Sequence, residues 1–330
     1  MPKEFHQAAW NDDLSQDWLG ILDLAIREDL GAWGDCTTQA LVPAQAQGRA
    51  AIVARKAGVL SGEAAIAATV ARFDPALKWR AAMHDALAVV PGQTVGVLEG
   101  PARAMLAAER PLLNLLGRLS GIASLTRRYV DLVSGTRAGI YDTRKTTPGW
   151  RSLEKYAVRC GGGRNHRAGL YEAVLIKDNH LAFGASARST GFSRNFSLTP
   201  PGHHACMVSG TTNIGFSPAQ AVFRARQFCA EQFGDAGRQM IVEVEVDTLD
   251  QLDEVLTVGP DLVLLDNMEP ALLREAVARR NARSAATELE ASGGIDLTTV
   301  RGIAETGVER ISVGALTHSA VALDFGLDWN

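Results

Sequence analysis

Residues 139–145, GIYDTRK, contain a short apolar run that ends in polar residues, and the second half of the chain repeats this pattern. The later runs are VLI before Lys177, VEVEV before Asp247, LVLL before Asp266, the run at 288–291 before Ser292, and ISV before Gly314. Apolar strands that alternate with helical stretches are typical of a parallel sheet. Because every run ends in charged or glycine residues, the pattern favours an α/β barrel, in which all these ends meet on one rim. A doubly wound sheet would collect them only near its switch point.

The first 125 residues mix helical and strand-like segments, so the 330-residue chain is predicted to hold two domains, at 1–125 and 126–315. Within the first, the spacing predicts a helix over 15–29 with Ser15 as its N-cap, and a long helical stretch over 101–134, broken near Ser120–Gly121. Strand-like runs are expected at 48–54, 87–90 and 93–99. Residues 183–218 are polar and lack periodicity, which indicates an insertion.

Composition excludes several classes of protein. The net charge of −4 and the aromatic content of 6% argue against a nucleic-acid-binding surface. No apolar run reaches the roughly 20 residues of a membrane span, and the first residues lack the apolar core of a signal peptide. The four cysteines form no CxxC pair and have no metal-ligand spacing; they are Cys36, Cys160, Cys206 and Cys229. Reduced thiols in a cytoplasmic protein are therefore expected.

Positive charge is concentrated between residues 144 and 177. Arg151, Lys155 and Arg159 are spaced four apart and are predicted to share a solvated helix face. A second set lies at strand ends or after the glycine run 161–163, and consists of Arg144, Lys145, Arg164, His166, Arg167 and Lys177. In a chain of negative net charge, this second set predicts a small polyanionic ligand held by forked arginine contacts.

Acidic and glycine residues complete the predicted rim. Glu245 and Asp266 end adjacent strands, where they are either salt-bridge partners or ligands that hold Mg²⁺ together with phosphate oxygens. Ser292-Gly293-Gly294 and Val313-Gly314-Ala315 end the last two strands, the place where such barrels bind phosphate through backbone N–H groups. The residues thus predict a phosphorylated sugar, Mg²⁺ and a second anionic substrate.

Several stretches of the sequence closely resemble the quinolinate phosphoribosyltransferase (carboxylating nicotinate-nucleotide pyrophosphorylase) family. They are REDLGAWGDCTT, GVLSG, ERPLLNLLGRLSGIAS, DTRKTTPG, KYAVRCGGGRNHR, LIKDNH, VEVEVD, LLDN, EASGGI and VGALTHS. They follow the family's order over nearly the whole chain, and DTRKTTPG, GGGRNHR and KDNH are highly specific. The resemblance implies an N-terminal α/β sandwich, which residues 316–330 are expected to complete, and an incomplete seven-stranded parallel α/β barrel.

The resemblance also implies a reaction of NAD biosynthesis, in which quinolinate and phosphoribosyl pyrophosphate give nicotinate mononucleotide, pyrophosphate and CO₂ with Mg²⁺. The residues implied for quinolinate are Arg144, Lys145, His166 and Arg167, with Arg110 from the partner subunit and Thr143 as a further substrate contact. The implied catalytic residues are Lys145 and Lys177 on phosphoribosyl pyrophosphate, and Glu245 and Asp266 on the ribose and the metal, directly or through water. The 5′-phosphate would lie on Ser292, Gly293, Gly294, Val313, Gly314 and Ala315. A homodimer, or a larger assembly of dimers, with shared sites is expected, without nucleic acid or membrane.

Three alternatives remain open at this stage. A molybdenum-transport relative would share the barrel, although the set Arg110, Arg144, His166 and Arg167 favours quinolinate. A Schiff-base aldolase would use Lys177 as its nucleophile and would need an apolar pocket around that amine, which polar neighbouring residues do not favour. A non-catalytic phosphate-binding barrel would keep the glycines but would not explain the paired carboxylates.

Overall fold

The structure of the protein is a computed structural model that describes residues 3–183 and 216–329. The insertion predicted at 183–218 lies almost entirely outside these residues. None of the described helices is both long enough and apolar enough to cross a membrane.

The described residues form eleven α-helices and twelve strands. The helices are α1 Asp12–Leu30, α2 Cys36–Leu41, α3 Ile66–Phe73, α4 Ala102–Leu132, α5 Arg151–Cys160, α6 Asp178–Phe183, α7 Pro218–Gln239, α8 Leu249–Leu256, α9 Pro270–Arg283, α10 Val300–Ala304 and α11 Ala315–His318. The strands are β1 Gln47–Ala54, β2 Gly58–Val59, β3 Lys78–Ala81, β4 Ala88–Val89, β5 Thr94–Pro101, β6 Gly139–Tyr141, β7 Ala173–Ile176, β8 Ile241–Val246, β9 Leu262–Asp266, β10 Glu288–Ser292, β11 Arg310–Ser312 and β12 Phe325–Trp329. A 3-10 helix spans Glu63–Ala65.

The first part of the chain forms an antiparallel sheet in the order β12-β1-β5-β3. Its central strands bury apolar residues, including Ile52 and Leu98, in one core cluster with Leu112 and Leu116 of α4. This arrangement buries the apolar face of the sheet and one side of the helix. Strand β12 comes from the far end of the sequence and pairs with β1 from Ala50↔Trp329 onward.

The second part forms a parallel sheet in the order β6-β11-β10-β9-β8-β7. The sheet has six strands, so the expectation of seven is wrong for the described residues. The segment after the glycine run takes the remaining place beside β6, but it pairs there through one bridge, Tyr141↔Arg164. The strand pairing stops after Arg164 because a following backbone amide donates to a side chain. The His166 N–H donates to the Asp142 carboxylate at 2.8 Å instead of to a strand carbonyl.

Two details of the helices differ from the sequence prediction. Helix α1 begins earlier than expected, because the Asn11 side chain accepts the Leu14 N–H and serves as the N-cap in place of Ser15. Helix α4 continues through the predicted break at Ser120–Gly121. The glycine serves close packing there, since a Cβ at Gly121 would lie 2.2 Å from the carbonyl oxygen of Val321.

Candidate active site

A cavity of about 740 Å³ opens at the carboxyl end of the parallel strands. This volume is in the range of small-molecule sites. The predicted site residues that line it are Thr143, Arg144, Lys145, His166, Arg167, Lys177, Glu245, Asp266, Ser292, Gly293, Gly294, Val313, Gly314 and Ala315. The structure thus brings together every predicted residue except Arg110 and Arg164. The prediction that Arg164 belongs to the anion-binding set is wrong, because its side chain pairs with Glu4 at 3.4 Å and lies outside the cavity.

Two guanidinium groups form the most electropositive wall of the cavity. Arg167 is 7% exposed and donates to the Ala173 carbonyl at 3.0 Å. Burial and the charge of Arg144 both lower the pKa of Arg167. The buried Nε of Arg144 has no hydrogen-bond partner within the described ranges. Two cations that repel each other, with an unused donor, form a site that an anion would stabilise.

A buried network holds the segment that carries these residues. Asp142 is fully buried and pairs with Lys155, whose Nζ also donates to the His166 carbonyl at 2.7 Å. The Asn165 side chain donates to the second Asp142 oxygen at 2.7 Å. The prediction of a solvated face is therefore wrong for Lys155, which is 3% exposed. The four-residue spacing showed a common helix face, but it could not show that this face packs against the segment 164–167.

A second ion pair fixes the loop between β6 and α5. Arg118 of α4 pairs with Glu154, which is fully buried, at 2.7 Å. The same carboxylate accepts the N–H of Thr147 at 3.1 Å and its hydroxyl at 2.9 Å. Thr317 in turn donates its hydroxyl to the Lys145 carbonyl at 2.7 Å. These bonds hold the backbone of the loop that carries Arg144 and Lys145 before a ligand binds.

Acidic groups form a second wall of the cavity, the acidic wall. Lys177 donates to the carboxylate of Glu245, and Asp266 accepts from the side chain of Asn267 at 2.7 Å. Burial raises the pKa of Glu245, Lys177 lowers it, and the charge of Asp266 raises it again. The influence of Asp266 means that these carboxylates are close enough to repel each other. The pair is therefore suited to binding a cation or a group with positive charge.

The first glycine after β10 is required by the local geometry. Gly293 has φ +95°, and a Cβ there would lie 2.1 Å from the side-chain oxygen of Asn267. Within the described residues, the backbone N–H groups of Gly293, Gly294 and Gly314 donate to no backbone carbonyl. Donors at the cavity surface without an internal acceptor are suited to binding a phosphate.

His166, Glu243 and Glu290 form a buried cluster on the inner face of the strands. Nε2 of His166 lies 2.9 Å from a Glu243 oxygen, and Nδ1 accepts the Arg167 N–H at 2.8 Å. The neighbouring carboxylates raise the pKa of His166 despite its burial. The hydrogen bond from Arg167 nevertheless requires an unprotonated Nδ1 and places the ring proton on Nε2. This tautomer leaves no ring nitrogen for a metal, although the three side chains lie close enough to hold one.

Glu290 makes the stability of the fold depend on pH. Burial and the nearby Glu243 raise its pKa to about 7, against about 4.3 in an unfolded chain. Because the pKa is raised on folding, stability is greatest below the unfolded pKa and falls as the pH rises toward 7. The total loss is about 4 kcal/mol. We expect Glu290→Gln to remove this loss, so that the variant melts at a higher temperature than the wild type at pH 8, with a much smaller difference between the two at pH 5.

Thermal denaturation of both proteins at the two pH values measures this difference. Glu254→Gln is the matched control, because Glu254 is exposed and its side chain makes no ion pair among the described residues. A Glu290→Gln effect of equal size at both pH values would contradict a raised pKa as its cause.

Arg110 lies apart from the cavity. It belongs to α4, its side chain is 70% exposed, and it pairs with its neighbour Glu109 at 3.1 Å. No other ion pair of Arg110 is present in the described part of the chain. The role of Arg110 in a site on another subunit stays a prediction.

The cavity also contains residues that the sequence analysis did not single out. They are Leu175, Leu264, Asn267, Glu290, Ile295, Ser312 and His318. One signal could have indicated Glu290: it lies two residues before Ser292, so both side chains face the same side of β10. Asn267 gave a weaker signal, as the residue that follows Asp266 at a strand end.

Two family models match the chain. The model described as quinolinate phosphoribosyl transferase, C-terminal domain, matches residues 122–195 and 207–328. The model described as quinolinate phosphoribosyl transferase, N-terminal domain, matches residues 35–120. Together they extend over most of the sequence and leave the first 34 residues unmatched.

Individual relatives agree with the family models. The chain is 39% identical over 306 residues to the nicotinate-nucleotide pyrophosphorylase [carboxylating] of Mycobacterium leprae, covering 92% of this chain and 94% of the relative. It is 38% identical over 308 residues to the probable nicotinate-nucleotide pyrophosphorylase [carboxylating] of Bacillus subtilis, covering 93% and 92%. The solved structure of the nicotinate-nucleotide pyrophosphorylase from Francisella tularensis superposes with a TM-score of 0.80 at 30% identity and covers 99% of this chain and 100% of that one.

Proposed function

The chain belongs to the quinolinate phosphoribosyltransferase family, and from this premise we propose that the cavity at the carboxyl end of its parallel strands carries out the family's reaction. The ring nitrogen of quinolinate displaces pyrophosphate from C1′ of phosphoribosyl pyrophosphate. Loss of CO₂ from C2 then gives nicotinate mononucleotide, a step of NAD biosynthesis. The observation that carries the proposal is the pair of guanidinium groups in the cavity, Arg144 and Arg167, which repel each other and of which Arg144 has a buried donor without a partner among the described residues.

Quinolinate binds against this pair. Its two carboxylates offer four acceptor oxygens, and the planar forks of Arg144 and Arg167 match carboxylate geometry. Lys145 and Thr143 border the same wall. His166 contributes through its position, because its two ring nitrogens already contact Arg167 and Glu243. It holds the Arg167 backbone and forms the end of the quinolinate site.

Phosphoribosyl pyrophosphate binds across the rest of the cavity. Its 5′-phosphate lies on the amides of Ser292–Gly294 and Val313–Ala315, and Lys145 and Lys177 neutralise the pyrophosphate. As pyrophosphate departs, positive charge develops at C1′. Glu245 and Asp266 stabilise that charge from the acidic wall. Arg144 and Arg167 hold the ring nitrogen of quinolinate toward the same carbon, which converts an encounter of two substrates into a reaction within one site.

Mg²⁺ is the cofactor we propose. Glu245 and Asp266 fit it, because they are neighbouring carboxylates that repel each other, and Mg²⁺ prefers carboxylate, water and phosphate oxygens. These residues would hold the ion together with the substrate. When bound, Mg²⁺ supplies charge neutralisation for the leaving pyrophosphate.

Decarboxylation needs little from the protein. Ribosylation makes the ring nitrogen cationic, so the electron pair left on C2 when CO₂ departs is stabilised next to that charge. A proton then replaces CO₂ at C2. The cavity contributes by holding the ring between its cationic wall and the ribose.

The working unit we propose is a homodimer with shared sites, in which Arg110 of each chain reaches the quinolinate site of the other. The exposure of Arg110 outside its own cavity supports this arrangement. We also propose a cytoplasmic location, supported by Cys36, Cys160 and Cys229, none of which is in a disulfide.

The aldolase alternative is not favoured. Lys177 pairs with Glu245, and its side chain is 43% exposed. A Schiff-base lysine needs a desolvated amine, whereas this one lies among charged groups.

Pyrophosphate release tests the proposed function. The purified enzyme with Mg²⁺ and phosphoribosyl pyrophosphate is expected to release pyrophosphate and CO₂ in equal amounts with quinolinate. Nicotinate lacks the C2 carboxylate and is expected to give at most about a hundredth of that rate, because the cationic wall is left unpaired. Equal rates with the two acids, or pyrophosphate release without CO₂, would contradict the proposal.

A further inference from the structure

The segment 3–8 lies at the end of the barrel opposite the cavity. Phe5 is 3% exposed and contacts the first residues of three parallel strands, Ala173, Ile241 and Leu262. On either side of it, Lys3 donates to the Met240 carbonyl at 3.0 Å, and Glu4 pairs with Arg310 at 3.1 Å. The segment therefore closes the amino end of the barrel. It lies ahead of residue 35, where the match to the family models begins.

Gln7 and Ala8 bond directly to the segment that carries the quinolinate site. The Gln7 side chain donates to the Asn165 carbonyl at 3.0 Å and accepts the Asn165 N–H at 2.9 Å. The Ala8 N–H donates to the Asn165 side chain at 2.7 Å. These three bonds give Asn165 the partners that a neighbouring strand would otherwise supply.

Phe5 contacts the next residue along the chain. Its ring stacks on His166, with centroids 4.3 Å apart and planes inclined by 27°. His166 accepts the Arg167 N–H through Nδ1 and lines the cavity. The ring of His166 therefore has Phe5 on one side and the ligand site on the other.

The strand pairing of segment 164–167 is weak, so its position depends on the buried network around Asp142 on one side and on Gln7 on the other. It joins β6 through one bridge at Arg164, and residues 165–167 belong to no strand. A buried amide that loses its partner costs about 1–3 kcal/mol. Without Gln7, Asn165 would regain partners by moving, and its shift would carry His166 and Arg167 with it.

We propose that Gln7 and Phe5 are positioning residues for the quinolinate site. Through the contacts of these two residues, the segment 3–8 fixes the positions of His166 and Arg167. This inference rests on the proposed function and deepens it. The substrate most affected is quinolinate, because the residues proposed for phosphoribosyl pyrophosphate lie at the ends of β7 to β11, except Lys145, whose carbonyl is held separately by Thr317. The segment 3–8, although it lies far from the mouth of the cavity, thereby determines the affinity for quinolinate.

The test compares Gln7→Ala and Phe5→Leu with the wild type in the full chain. His6→Ala is the matched control, because His6 lies between the two residues and is exposed. For each protein, KM for each substrate, kcat and Tm are measured, and quinolinate binding is titrated by calorimetry. We expect Gln7→Ala to weaken quinolinate binding about tenfold, with KM for phosphoribosyl pyrophosphate within about twofold of wild type. Phe5→Leu should act in the same direction, and His6→Ala should match the wild type.

Three outcomes would overturn the inference. Quinolinate constants that equal the wild type in both variants, whatever their Tm, would show that the segment only stabilises the fold. Equal weakening of both substrates would show general loosening of the barrel. A His6→Ala effect as large as that of Gln7→Ala would show that any change in the segment acts alike. The wild-type rate tests the proposed function separately, since the inference depends on the ratio of variant to wild type in the quinolinate titration.

Discussion

Arg167→Ala is expected to lower kcat/KM for quinolinate by between about 30-fold and a few thousand-fold. Arg167 is nearly buried and faces Arg144, so its removal leaves a substrate carboxylate without a partner in a site of low dielectric. Truncating one partner of a buried charge pair costs about 2–5 kcal/mol, which corresponds to this range. KM for phosphoribosyl pyrophosphate should change little, because that substrate is proposed to bind Lys145, Lys177 and the glycine loops.

Steady-state kinetics with each substrate varied in turn measures this result. Arg167→Lys keeps the charge but loses the planar fork, and it should fall between the wild type and the alanine variant. Arg238→Ala serves as the control, since its side chain is 63% exposed and pairs locally with Asp235. Quinolinate kinetics in Arg167→Ala that match those of Arg238→Ala would refute the assignment of the cationic wall to quinolinate.

Mixing two inactive variants is expected to restore activity if sites are shared between subunits. Arg110→Ala removes the residue proposed to act in the partner's site, and Lys177→Ala removes one from a chain's own site. In a twofold dimer the exchange is reciprocal, so a mixed dimer carries both lesions in one site and neither in the other. Such dimers should therefore have about half the wild-type activity.

Co-expression with two different tags isolates the mixed dimers. Each homodimer, purified in the same way, gives the background rate. If Arg110 acted within its own chain, every site of a mixed dimer would keep one lesion, and the rate would stay at that background. Sedimentation of the doubly tagged fraction verifies that it contains two chains, so that a low rate is not due to failed assembly.

Much of the cavity could be predicted because parallel strands place their carboxyl ends together. Lys177, Glu245 and Asp266 are far apart in sequence, yet each follows an apolar run, and this pattern alone places them on one rim. The glycines after β10 and β11 were recognisable for the same reason. A local pattern, an apolar strand followed by a polar or glycine residue, is sufficient to predict a site residue when the barrel topology brings all the strand ends to one rim.

The remaining features depend on contacts between distant parts of the chain. Lys155 has the spacing of a surface residue, and its partner Asp142 buries it only because the loop after β6 folds back over α5. Helix α4 passes through Gly121 because the chain near residue 321 packs against it. The bonds of Gln7 to Asn165 join residues 158 positions apart. The periodicity of apolar residues within a window of a dozen residues cannot reveal contacts between residues so far apart in the sequence.

The return of β12 to the first sheet has a consequence for how the chain is made. Arg55, after β1, and Asp328, in β12, are 273 residues apart, and Glu4 and Arg310 are 306 apart. A ribosome adds about 5–20 residues per second, so the later partners are synthesised roughly 15 to 60 s after the earlier ones. During that interval one edge of β1 is unpaired and the contact of Glu4 with Arg310 cannot form. An unpaired strand edge can pair with other chains. The nascent protein is therefore most prone to aggregation while its N-terminal half is complete in sequence but still lacks its last strand.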